Sequence, residues 1–92
     1  MIRANDPVRK AFADCSSGPV YYETKGHAIS AFGRVLFDYD YTLGYQDMPG
    51  DEGRAEFELY YARAGNDDYA GRAIISWYRM PSGRYEVIGY IA

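Results

Sequence analysis

The sequence predicts an α+β fold, with one N-terminal helix packed on a five-stranded antiparallel meander sheet. Three observations predict it. A helix pattern with clear start and stop signals occupies residues 6–19. Runs of alternating hydrophobicity fill most of the chain after it. A three-residue hairpin turn, Pro81-Ser82-Gly83, joins the last two of those runs.

Asp6 suits the N-cap, and Pro7 suits the first helical position, where its missing N–H costs nothing. Val8, Ala11, Phe12 and Cys15 then recur at i, i+3, i+4 and i+7, one apolar stripe, with Arg9, Lys10 and Asp14 opposite. Ser16-Ser17-Gly18-Pro19 ends the helix. A helix of about ten residues is not stable alone in water, so this one has to lie on a sheet.

Residues 19–24 read as the first strand, and Lys25-Gly26 as a two-residue turn. From Ile29 to Leu43 the odd positions are mostly apolar, with Phe32 and Leu36 as exceptions. This is one long strand of about fifteen residues, more than usual, so a bend is expected near Gly33. Residues 44–54 read as a loop. Glu56–Ala62 alternates again, with Phe57, Leu59 and Tyr61 on the core side, and a turn is expected over residues 65–68. The 81–83 turn then sets a register for the last two strands. Met80 faces Arg84, so Trp77 faces Val87, Ile75 faces Gly89 and Ala73 faces Ile91 on one side. The other side carries the pairs Tyr78/Glu86, Ser76/Ile88 and Ile74/Tyr90. The expected core face holds Val35, Phe37, Phe57, Leu59, Ile75, Trp77, Val87 and Ile91, with a small glycine leaving room for the Trp77 indole.

Ninety-two residues fit one domain, 1–92, and 48% hydrophobic with 25% charged residues is ordinary globular composition. No apolar run approaches the roughly 18 residues of a membrane span. Met1–Asp6 lacks the apolar stretch of a signal peptide, so a cytoplasmic protein is expected. The single Cys15 leaves no internal disulfide and no Cys-rich zinc site, and the single His27 leaves no His-rich metal site. Cys15 with His27 is the one conceivable Cys/His pair, but Cys15 belongs to the helix stripe and His27 to a tight turn. No Gly-x-Ser-x-Gly elbow offers Ser76 or Ser82 as a nucleophile. The Gly44, Gly50 and Gly53 loop lacks the Lys and following helix of a phosphate cradle, and its Asp47, Asp51 and Glu52 would repel phosphate. Those acids also lack EF-hand spacing, so the loop reads as solvated rather than as a Ca²⁺ or Mg²⁺ site. No catalytic residue, metal ligand or cofactor is assigned, and the chain is not expected to be an enzyme.

Charge is unevenly distributed. Residues 38–58 hold seven acids and one base, whereas the whole chain has a net charge of −3. Asp38 and Asp40, and again Glu56 and Glu58, sit two residues apart on their strands, about 6.7 Å along each. If those strands pair, four carboxylates share one face, where like charges destabilise one another. A chain that keeps such a face has either a solubility reason or a basic partner. The candidate binding residues are Asp38, Tyr39, Asp40, Tyr41, Tyr45, Asp47, Asp51, Glu52, Glu56 and Glu58, with Tyr39, Tyr41 and Tyr45 as aromatic anchors. Direct nucleic-acid binding is disfavoured by the negative charge and the absence of RNP motifs, despite eleven Tyr. In size, charge layout and lack of a catalytic set, the chain resembles phage-encoded anti-CRISPR-type inhibitors; the likeness transfers no residue. It implies a non-enzymatic inhibitor in a bacterial cytoplasm, docked on the basic surface of a nucleic-acid-binding complex. A Tyr/Arg-lined sheet face binding a small ligand or nucleotide is the alternative, and the pattern is compatible with a homodimer.

Overall fold

The structure, a computed structural model, describes residues 2–16, 21–36, 38–47, 52–62 and 68–92, with the backbone alone for 45–47. It is α+β. Two helices, α1 (Pro7–Asp14) and α2 (Lys25–Arg34), precede four strands, β1 (Tyr39–Asp47), β2 (Glu52–Tyr61), β3 (Tyr69–Arg79) and β4 (Tyr85–Ile91). The strands form one antiparallel sheet in chain order. Among the described residues, no helix is long and apolar enough to cross a membrane.

α1 forms as its punctuation requires. The Asp6 carboxylate accepts the Val8 N–H at 2.9 Å, and Pro7 opens the helix. Val8 and Phe12 are buried, while Ala11 and Cys15 are half-buried at the edge of the stripe. The last hairpin also forms in the expected register: Trp77 pairs with Val87, Ile75 with Gly89 and Ala73 with Ile91. Gly83 holds the left-handed conformation, φ +90°, that this turn needs.

The middle of the chain departs from expectation. The long strand over Ile29–Leu43 is replaced by α2 followed by β1, so the described residues form two helices and four strands, not one and five. Phe32 and Leu36, the exceptions to alternation, explain why: Ala28, Phe32 and Leu36 recur at i, i+4 and i+8, and all three are fully buried. Thr24 caps α2 through its Oγ1, which accepts the His27 N–H at 3.1 Å, so Lys25-Gly26 is a first helical turn and not a hairpin turn. Gly33 lies inside α2, and Val35 caps its C-terminal end half-buried instead of standing on the sheet. Of the expected first strand, the described residues show one bridge, Tyr22 with Tyr85. The expected 44–54 loop is narrower, because residues 44–47 belong to β1 and 52–54 to β2. Phe37, residues 17–20 (with most of the expected helix stop), residues 48–51 of the expected loop and residues 65–67 of the expected turn lie outside the described residues.

Both helices cover one sheet face. Phe57, Leu59, Ile75, Trp77, Val87 and Ile91 are buried there against Phe12, Phe32 and Leu36. Gly89 is what lets the layers meet. A Cβ at that position would stand 2.3 Å from the Phe32 ring and 2.9 Å from the Phe12 ring. The two rings pack edge-on, 4.8 Å between centroids, and Phe12 meets Phe57 the same way at 5.9 Å. The small residue that admits the Trp77 indole is Gly53, its partner on β2. Lys25 at the start of α2 sits 5.6 Å above that indole.

The N-terminal half also seals the β4 edge. Tyr85 exchanges two backbone hydrogen bonds with Tyr22, the Gly89 N–H donates to Ser16 Oγ at 3.0 Å, and Arg9 donates to the Ile91 carbonyl at 2.8 Å. The same guanidinium donates to the carbonyls of Ile2 and Arg3, pinning the N-terminal segment.

Gly89→Ala should destabilise the protein by about 2–3 kcal/mol or more, because neither packed ring can yield. Gly44→Ala, whose Cβ would meet only the Glu56 carbonyl at an ordinary 3.7 Å, should stay within about 1 kcal/mol of the parent. Urea unfolding midpoints of the two variants test the difference.

Candidate functional site

The register splits the sheet into two faces with different chemistry. Rows running across the strands define the face that carries no helix: Glu52, Tyr78 and Glu86; Arg54, Ser76 and Ile88; Glu56, Ile74 and Tyr90; and Thr42, Glu58 and Arg72. Asp40 continues this face on β1. Among these described side chains are five carboxylates (Asp40, Glu52, Glu56, Glu58 and Glu86) and two guanidiniums (Arg54 and Arg72). Tyr78, Ile88 and Tyr90 stand among them at 50%, 56% and 52% exposure. Ile88 neighbours Tyr90 along β4 and Tyr78 diagonally on β3, so the three form one patch. Ile74 has only 6% exposure and is shielded by its neighbours in the sheet.

Small Ser76 leaves a shallow cleft of about 400 Å³ on this face, lined by Glu52, Arg54, Ser76, Tyr78, Glu86 and Ile88. Tyr78 sits between two carboxylates across the strands, so the cleft joins apolar walls to a negative rim. A long cationic side chain suits it, with its methylenes on Ile88 and Tyr78 and its charge toward Glu52 and Glu86.

The sequence-assigned acids are only partly brought together. Asp40 is exposed on the open face, and Asp38 is exposed in the turn before β1. Glu52 lies exposed at the start of β2. Glu56 and Glu58 share the face, but they do not stand as bare like charges. Arg54 meets Glu56 at 2.7 Å, and Arg72 reaches Glu58 at 3.1 Å and Glu56 at 3.8 Å. Glu58 also holds the Tyr69 hydroxyl by a hydrogen bond, which pushes that phenol above its ordinary range. The expected mutual destabilisation is thereby offset, although such exposed pairs contribute at most about 1 kcal/mol each. Asp51, and the side chains of Tyr45 and Asp47, lie outside the described residues.

The expected aromatic anchors do not share a face with the acids. Alternation sends Tyr39 and Tyr41 to the helix-covered side, away from Asp40, Glu56 and Glu58. The Tyr39 hydroxyl donates to Asp6 at 2.8 Å, tying β1 to the cap of α1, and the Tyr41 ring packs edge-on against Phe57 at 5.3 Å. The aromatics of the acidic face are Tyr78 and Tyr90, with Tyr60 and Tyr69 at its end, rings 5.8 Å apart. The hairpin register places Tyr78 and Tyr90 on that side, whereas the run of acids and Tyr over 38–45 places Tyr39 and Tyr41 on the other.

Cys15 is held against the carbonyls of Ala11 and Ala31, at 3.5 and 3.7 Å, and burial, then Asp14, push its thiol pKa up. A raised thiol is a poor nucleophile at neutral pH. His27 stands exposed in the first turn of α2 rather than in a tight turn. Among the described residues, no group of three or more His, Cys, Asp or Glu side chains is gathered to hold a metal. No family model, curated protein or solved structure matches the chain.

Burial, with the Asp6 hydrogen bond and charge next, pushes Tyr39 up to about 12. Its unfolded value is near 10. The stability it contributes is therefore complete below pH 10 and lost as pH rises toward 12. Tyr39→Phe should cost about 1–2 kcal/mol at pH 7. The gap between parent and variant urea midpoints should stay constant up to pH 10 and narrow above it.

Proposed function

We propose that this protein is a non-catalytic inhibitor that lays the open face of its sheet on the basic surface of a nucleic-acid-binding protein complex, in the manner of anti-CRISPR-type phage proteins acting in a bacterial cytoplasm. The carrying observation is the patch of Tyr78, Ile88 and Tyr90 set in a face with five carboxylates and two guanidiniums. Contiguous large side chains, half exposed on the sheet face opposite the helices, contribute little to the core and mark a contact surface. Aromatic anchors ringed by charge are the anatomy of a protein interface. The negative rim favours a basic partner and speeds its approach.

The cleft over Ser76 gives a place for a second reading, a small ligand or nucleotide held by Tyr78 and Arg54, although the carboxylates of Glu52 and Glu86 at its rim would repel a phosphate. The two readings differ in salt response. Docking on a basic surface weakens steeply with ionic strength, while a mainly apolar cleft is less affected.

The test is capture from a nuclease-treated bacterial lysate by the immobilised protein at about 50 and 300 mM salt, read by mass spectrometry. The parent should retain basic nucleic-acid-binding proteins at low salt and release most of them at high salt. Tyr78→Ala with Ile88→Asp should lose them at least tenfold with an unchanged circular dichroism spectrum. Equal retention by parent and variant, or binding of nucleotides alone, would remove the docking reading.

A further inference from the structure

The two edges of the sheet are treated differently. Along β4, the N–H and C=O of Tyr85, the N–H of Gly89 and the C=O of Ile91 bond to the N-terminal half. Counting inward from β4, the backbone groups that point away from the sheet on β1 belong to its odd residues. The Tyr39 N–H, donated to the Leu36 carbonyl at 2.9 Å, agrees with this parity. Tyr41 and Leu43 are next, and among the described residues no element covers their outward N–H and C=O groups. Their side chains are 44% and 41% exposed. β1 has nine residues and contains no Lys, Arg or Pro, and its two charged residues, Asp40 and Asp47, leave the Tyr41–Gly44 stretch between them uncharged.

We infer that the β1 edge is a dimer interface, at which two copies of this chain pair their β1 strands antiparallel about a two-fold axis at Thr42 to make one eight-stranded sheet. The choice of a second copy rests on how β1 complements itself. About Thr42, Tyr41 lies opposite Leu43 twice, on the side that carries the helices, and Asp40 lies opposite Gly44, so no carboxylate faces another. Moving the axis to Asp40 would set the two Asp40 carboxylates against each other. Tyr41 and Leu43 of each copy would exchange about four backbone hydrogen bonds. A strand pair of this length buries less than the roughly 800 Å² per partner of a standard interface, so the dimer should dissociate in the micromolar range. This assignment is independent of the docking role of the open face.

The register supplies a sharp test. Thr42 lies opposite its own copy as a non-hydrogen-bonded pair, with Cα atoms about 4.5 Å apart, inside disulfide range. In a Cys15→Ser background, Thr42→Cys should cross-link to a covalent dimer under mild oxidation at least about tenfold faster than Ser76→Cys on the open face. Sedimentation equilibrium should find the parent dimerising at tens to hundreds of micromolar. Leu43→Lys, at an exposed position, should remain folded by circular dichroism and weaken dimerisation at least tenfold. A parent that stays monomeric up to about 1 mM would overturn the proposal, and so would Thr42→Cys cross-linking no faster than Ser76→Cys. An edge protected from exchange only when a basic peptide is added would also overturn it, assigning β1 to a foreign strand.

Discussion

The contact on which the rest of the structure depends is the seat that Gly89 makes for two phenylalanine rings. A short α1 and an α2 containing two glycines have little stability of their own. They persist because Phe12 and Phe32 reach down to the backbone of β4, closer than any side chain at that position would permit. Phe57 completes the cluster from β2. The helix layer thus rests on the sheet through aromatic rings, and its position fixes what remains uncovered.

The ties around the rings are polar and local. Asp6 caps α1 and accepts from Tyr39 on β1, while Arg9 binds the end of β4 and the N-terminal segment. These bonds join opposite edges of the sheet through one helix. Their consequence is an asymmetry: one face and the β4 edge are closed by the chain itself, whereas the other face and the β1 edge present apolar side chains and backbone groups to solvent. The proposed docking face and the proposed dimer edge are the two surfaces left over, and β1 borders both. A dimer would place two acidic faces side by side, doubling the surface offered to a basic partner.

The ends of the fold were legible in the sequence, and the middle was not. α1 was readable because the Asp6 cap and Pro7 act locally and its apolar stripe is regular. The β3–β4 register was readable because a three-residue turn fixes it. α2 was misread because Ala31, Gly33 and Val35 lie at alternate positions and mimic a strand, while its true stripe of Ala28, Phe32 and Leu36 is short and interrupted by glycine. Its buried face needs only those few positions, since the seat at Gly89 takes one ring from α2, that of Phe32, beside Phe12 of α1. The acidic residues of the open face were visible as a charge run. Its exposed tyrosines were not, because strand parity separates Tyr39 and Tyr41 from Asp40, and Tyr78 and Tyr90 come from β3 and β4. The ion pairs of Arg54 and Arg72 depend on cross-strand neighbours that only the full register supplies.

The central claim, that two aromatic rings seated on Gly89 hold a helix layer over the sheet, is tested most directly by nuclear Overhauser contacts to the Gly89 α-protons. The account predicts cross-peaks from those protons to the ring protons of both Phe12 and Phe32, with marked ring-current shifts, and helical connectivities along residues 25–34. Absence of both ring contacts, together with cross-strand connectivities through residues 29–36, would contradict it and restore a long strand in place of α2.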